Sequence, residues 1–343
     1  MINRLQQFMV AALLGAAALA HGIMAHASGS ILVANRGSAS VSVIDVKTDT
    51  STSIPLVGGT NTPEPLSLAY SAAFRRVFVG DRANNRVVVL SGNDFAQEST
   101  VSTGAGLFHM WASDTVDQLW VVNDIDKTVT VIDTVTLDVI TTIPMPADLI
   151  GLGGRPHDVI LDPTSPFAYV TIISVAGAAD FVVKYSSTTF FESGRVAVGK
   201  DPHVSLSRQS NLLYVPCQNS NSVYVIDRDT LTPETIIPAS GAHGAAMARN
   251  GKRFYSTNLP GGGPGGLIEI DTKTNGVVAT TNTPLPVPHN IALTPNSKKI
   301  YVTHSGASSD QVSVYEVKNK HAVPEFRGTI TTGMNPFGLV FTP

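Results

Sequence analysis

One cysteine, few charges and no long apolar stretch beyond the N-terminus set the first limits on this chain. A single Cys among 343 residues leaves no partner for an intrachain disulfide and no CxxC pair for zinc or haem. Charged residues make up only 14%, well below the usual quarter, which argues against coiled coil and against disorder. With 23 basic and 26 acidic residues the formal charge is −3, so the cationic footprint of a nucleic-acid-binding protein is missing. No GxSxG elbow, HExxH pair or EF-hand loop occurs. The run GGGPGG at residues 261–266 lacks the Lys-Ser/Thr of a phosphate loop and opens no helix, so it reads as a rim loop.

What is present begins with an address. Arg4 precedes the apolar residues 8–20 (FMVAALLGAAALA), and Ala25-His26-Ala27 forms a small-x-small cleavage site. The run is too short to span a bilayer, and no later segment is long enough. Residues 1–27 are expected to be a Sec-type signal peptide and residues 28–343 a single exported domain, most simply periplasmic. Free Cys217 would then sit in an oxidising compartment without a partner.

The rest of the chain repeats itself. Segments of the type PHDVILDP (156–163), YVTI (169–172) and FVVKY (181–185) recur in that order, each set closed by a short strand and a Gly-Pro turn. A register mark at the start of the first strand falls at Pro65, His109, His157, His203, His243, His289 and Phe337, at gaps of 44, 48, 46, 40, 46 and 48 residues. An aromatic mark follows each of the first six, as Phe78, Trp120, Tyr169, Tyr214, Tyr255 and Tyr301. Asp45, Asp133, Asp227 and Asp271 close a third strand in VID or EID contexts. Four short strands in a period of forty-odd residues specify an all-β β-propeller. Residues 31–35 match a second strand and residues 337–342 a first strand. The C-terminal strand is therefore expected to complete the N-terminal blade, which gives seven four-stranded blades and removes the open sheet edges.

LWVVN at 119–123, FYSTN at 254–258 and IYVTH at 300–304, with SVSVID at 40–45 and SVYVID at 222–227, resemble the YVTN family of β-propellers. Its periplasmic YncE-type members also look similar in length, leader and YVTH segment. The resemblance covers the whole chain after the leader and implies the propeller fold. It implies little about activity, because the family serves mainly as a scaffold.

Innermost strands line a propeller's channel, so His109, His157, His203, His243 and His289 are expected to converge at one mouth. The second strand returns to that rim and ends at the Asn of YVTN, where Cys217 and His304 stand in their own blades. Clustered imidazoles with few carboxylates suit copper first and zinc second, with His304 and Cys217 as possible added ligands. Glu64, Asp158 and Asp201 neighbour the ring in sequence and could orient imidazoles. Taken alone, Cys217 reads as a small buried hydrophobe.

A mouth ringed with His resembles, in that device, the copper-bearing propellers of nitrous oxide reductase and thiocyanate dehydrogenase. Pro65 and Phe337 break the ring, which speaks against a multi-copper reductase. Three functions follow. The first is an exported metal-binding protein or small-substrate oxidoreductase with copper favoured. The second is an interaction propeller with structural histidines and a periplasmic protein partner. The third is a lactonase, since 6-phosphogluconolactonases share a seven-bladed design, for which Glu64, Arg155 and His157 are the local candidates. In each case the expected form is a monomer with a metal ion, small ligand or protein at the mouth, and no nucleic acid.

Overall fold

A computed structural model describes residues 29–318 and 323–343; the expected leader and His321 lie outside them. Seven four-stranded antiparallel sheets stand around one axis. The first blade joins Ser30–Asn35, Ser40–Asp45 and Ser51–Pro55 to the C-terminal strand Pro336–Thr342. Ile31 pairs with Phe341 and Leu32 with Val340, so the ring is closed by hydrogen bonds, as the sequence predicts. The other six blades follow in order as residues 65–102, 107–144, 155–198, 205–238, 242–283 and 288–331.

The strands form because β-branched and aromatic residues alternate with small polar ones between turn residues. Blades are then held by what they bury against each other. The described residues form seven apolar clusters, one at each blade interface. The recurring aromatic is a fixed part of these interfaces: Phe78, Trp120, Tyr169, Tyr214 and Tyr301 are fully buried. Tyr hydroxyls reach the next blade, Tyr301 donating to Asp49 Oδ1 at 2.8 Å and Tyr214 to Asn275 Oδ1 at 2.9 Å.

The recurring Asp shapes the hairpin between third and fourth strands. Oδ1 of Asp45, Asp133, Asp227 and Asp271 accepts the backbone N–H groups two and three residues on. The residue four places on, Asp49, Leu137, Leu231 or Asn275, takes a left-handed φ of 55°, 67°, 54° or 50°. Such strain on leucine persists because the hairpin around it is already fixed by the Asp.

Candidate functional site

Every inner strand breaks its pairing near its start. Pairs form at Pro65, Leu107, Pro156, Pro202, Ala242, Pro288 and Pro336, lapse for two residues, and resume at the third. In the fourth, sixth and seventh blades the second unpaired residue is held by the Thr of the YVTN segment. Thr171 accepts the N–H of Asp158 at 2.9 Å, Thr257 that of Gly244 at 2.9 Å and Thr303 that of Asn290 at 3.0 Å. Thr257 and Thr303 also donate to the carbonyls of His289 and Phe337 in the next blade, both at 2.8 Å. One hydroxyl thus fixes a bulge and joins two blades at the channel wall.

The bulge corrects the expected register. Its first residue is Leu66, Phe108, His157, His203, His243, His289 or Phe337, so the marks at Pro65 and His109 were each one residue out. Four histidines, rather than five, share the position. Their rings and two phenylalanines form a collar, with centroid distances of 4.8 Å for Phe108–His157, 4.6 Å for His157–His203, 4.0 Å for His203–His243, 4.6 Å for His243–His289 and 4.1 Å for His289–Phe337. Phe337 and Phe108 meet edge to face at 6.0 Å across the second blade, whose Leu66 is buried.

His109 stands at the second bulge position, which Asp158 fills in the next blade. From there it still joins the collar, its ring 5.4 Å from His157 and 5.3 Å from His203. The ligand nitrogens of His109, His157 and His203 all lie within 4.8 Å of one another. His157 Nε2 and His203 Nε2 are 3.1 Å apart, so one N–H donates to the other's lone pair. His203 Nδ1 lies 3.4 Å from Asp158 Oδ2, which also accepts the N–H of Val204 at 3.0 Å. Nδ1–H toward the carboxylate leaves His203 Nε2 as the acceptor. His109 Nε2 is buried without a partner. A cavity of about 130 Å³, lined in part by His109, Asp158, His203 and Asn290, adjoins the trio.

Burial works against charge on four of these imidazoles. Burial, with smaller help from the neighbouring histidines, takes His157, His243 and His289 well below the usual imidazole value. Burial likewise brings His109 down to about 4, against the pull of Asp158. Burial alone would raise the Asp158 carboxyl; His109, His203 and the Val204 amide outweigh it and hold it low.

The other predicted ligands are not in the cluster. His304 is fully buried, Nδ1 sharing a hydrogen bond with the Pro286 carbonyl at 2.9 Å and Nε2 with Ser313 Oγ at 2.7 Å. No lone pair remains for an ion, because the YVTN Asn position serves as a tie inside the blade. Asn35 does the same with Ser42, and Asn123 with Thr130. Cys217 is fully buried beside Val198, Val204 and Val215, and its Sγ donates to the Val215 carbonyl at 3.4 Å. Burial pushes its thiol up, so it is no thiolate. His243 and His289 remain in the collar, stacked at 19°, outside the group of converging nitrogens. Glu64 is tied to Arg36 at 2.6 Å.

The mouth also carries residues that lie outside the repeat marks. Arg36 lies over the Phe337 ring at 5.7 Å and Arg82 over Phe108 at 5.5 Å, with Arg82 also paired to Asp124 at 2.9 Å. Arg155, more exposed, is 4.0 Å from the same Asp124. Arg36 and Arg82 each follow the last residue of a second strand, and that shared offset was the available signal.

No curated protein matches the chain. Among solved structures, the periplasmic gluconolactonase of Pseudomonas aeruginosa superposes with a TM-score of 0.71 at 17% identity, over 92% of this chain and 99% of that one. A Lactobacillus plantarum protein gives 0.72 at 16% over 92% and 100%, and Kuenenia stuttgartiensis hydrazine synthase 0.68 at 15% over 82% and 91%. At such identities these likenesses establish the fold alone. The family model for the lactonases with a seven-bladed β-propeller matches residues 8–235, two thirds of the sequence, and the chain belongs to that family.

Proposed function

We propose that this protein is an exported hydrolase that opens a small hydroxylated lactone at the mouth of its channel. The observation that carries the reading is an arginine-bearing rim around uncharged imidazoles: Arg36, Arg82 and Arg155 stand about a floor where His157 keeps Nδ1 free of any protein hydrogen bond. Membership of the lactonase family supports this third expectation over the copper oxidoreductase. In the reaction, water oxygen bonds to the ring carbonyl carbon and the ring C–O bond breaks. The departing oxygen takes a proton, and a hydroxy acid leaves. Arg155 would hold the carbonyl oxygen as its charge grows, and the imidazole lone pairs would orient the water and draw its proton.

Three observations support an exported setting: the leader-like residues 1–27, the periplasmic address of the Pseudomonas neighbour, and the lack of any described helix long and apolar enough to cross a membrane. The LWVVN, FYSTN and IYVTH segments support a place near the YVTN scaffold proteins within this architecture.

The test is a panel of γ- and δ-lactones, aldonolactones included, followed by proton release against the spontaneous rate. Turnover is expected, with His157→Ala lowering kcat/KM about 100-fold or more and Arg155→Ala raising KM. A rate no faster than buffer across the panel overturns the reading and leaves the interaction-module expectation in its place.

A further inference from the structure

Three imidazoles of the collar wall turn ring nitrogens toward one another, and converging nitrogen lone pairs are what a late first-row metal ion needs.

We propose that His109, His157 and His203 form a three-histidine site for a late first-row transition ion, copper or zinc, and that Asp158 positions His203 within it. The site shares His157 with the hydrolase reading but is measured by binding, so the two can fail separately.

Four features of the chamber support the assignment. First, two nitrogens bound to one tetrahedral ion at about 2.0–2.1 Å stand roughly 3.3 Å apart. His157 Nε2 and His203 Nε2 are already 3.1 Å apart, close to that spacing without an ion. Second, the third ligand has an unpartnered buried nitrogen, His109 Nε2, and the widest separation in the trio is 4.8 Å. Third, His203 presents Nδ1 to a carboxylate, with Oδ2 of Asp158 at 3.4 Å. A metal-bound His commonly has such an outer partner, which turns its other nitrogen toward the ion. Fourth, all three donors are imidazole nitrogens with no carboxylate ligand among them, which favours copper or zinc over magnesium, calcium or manganese. Three protein ligands leave a coordination position for water, and a bound ion would lower that water's pKa toward neutrality.

The remaining collar histidines mark the limits of the site. His243 has both ring nitrogens buried and unpartnered, but it stacks on His289 and belongs to no group of three converging donors among the described residues.

The experiment loads the untagged full chain, purified without chelators, with Cu(II) or Zn(II), then desalts it and measures metal by ICP-MS. One equivalent is expected, with Cu(II) displacing Zn(II), and with nitrogen hyperfine structure in the Cu(II) EPR spectrum. His109→Ala, His157→Ala and His203→Ala should each abolish stoichiometric retention, while His243→Ala and His289→Ala keep it. Asp158→Asn should weaken binding about 10- to 100-fold without abolishing it. Wild-type protein that retains no metal overturns the proposal without recourse to any variant. Equal retention by the three His→Ala proteins overturns it as well. Lactone turnover by strictly metal-free protein would preserve the hydrolase while removing the ion from it. One bound equivalent without turnover would do the reverse.

Discussion

His304 and His203 are both buried histidines beside the channel wall, and hydrogen-bond accounting separates them. His304 uses both nitrogens inside its own blade, on the Pro286 carbonyl and Ser313. His203 gives one nitrogen to Asp158 and points the other at a second imidazole. The first is a strut. The second belongs to a set of lone pairs with nothing but each other to bind. Residue type and burial alone do not tell these roles apart, and the partners do.

The sharpest way to break that comparison is to delete each histidine and read stability against metal retention. His304→Ala leaves the buried Ser313 hydroxyl without its imidazole partner and frees the Pro286 carbonyl, at about 1–3 kcal/mol. The thermal midpoint should fall accordingly, while metal retention per folded molecule stays at the wild-type level. His203→Ala should lower the midpoint as well, because it unpairs Asp158 and empties buried space, but only this variant should lose the ion. A His304→Ala protein that melts normally but no longer binds metal would make His304 a ligand after all.

A second contrast lies within the collar. On one side Asp158 reaches across to His203. On the other side Gly244 and Gly338 occupy the equivalent positions, because the neighbouring inner strand runs too close for a side chain. A Cβ on Gly244 would strike the His289 carbonyl, and one on Gly338 would lie 2.7 Å from the Leu66 carbonyl. His289 therefore has burial without a carboxylate, and burial holds its pKa well below the ordinary 6.5. The unfolded chain then takes up the proton first as pH falls, so His289 contributes stability that is complete above about pH 6.5 and lost as the pH drops toward its folded value. The metal-free protein should keep a constant melting temperature from neutrality upward and lose it progressively below that point. His289→Phe, which matches the neighbouring Phe337, should flatten the acid limb by up to about 1.4 kcal/mol per pH unit. An unchanged limb would show that His289 is protonated in the folded state.

These contrasts also show what could be read from the chain. Blade number, ring closure and the Asp-capped hairpins were legible because each rests on a local pattern copied around the axis: alternating strands, an aromatic three residues before the strand end, an Asp that orders its own turn. The trio was half legible. His157 and His203 share a repeat position, but His109 reaches the same place from a bulge position one residue later, and spacing cannot show a two-residue lapse in pairing. From the sequence His304 and Cys217 look like possible added ligands for a similar reason, while Cys217 taken alone reads as the small buried residue it is. A shared rim places two residues near each other in the repeat, yet the side chain at the YVTN Asn position turns into its own blade. Arg36 and Arg82 escaped notice because their meaning depends on Phe337 and Phe108, which come from other blades.

Cys217 offers the mildest test. Its sulfur lies among valines and donates to the Val215 carbonyl, so a Ser hydroxyl in its place keeps a partner while losing some apolar contact. Cys217→Ser should cost about 1 kcal/mol and leave the Cu(II) spectrum unchanged. A bound thiolate would instead give a sulfur-to-copper charge-transfer band that the variant lacks. In the native wild type a thiol reagent should find no reactive group, because burial raises the thiol's pKa and shields it. Modification should appear only as the protein unfolds, with the rate following global opening. Rapid labelling of the folded chain would mean that the fifth blade opens locally at its inner edge, where Ser205–Leu206 is the shortest strand of the seven inner ones. That outcome would move the weak point of the ring next to His203, and the ion would then be expected to protect Cys217 from the reagent.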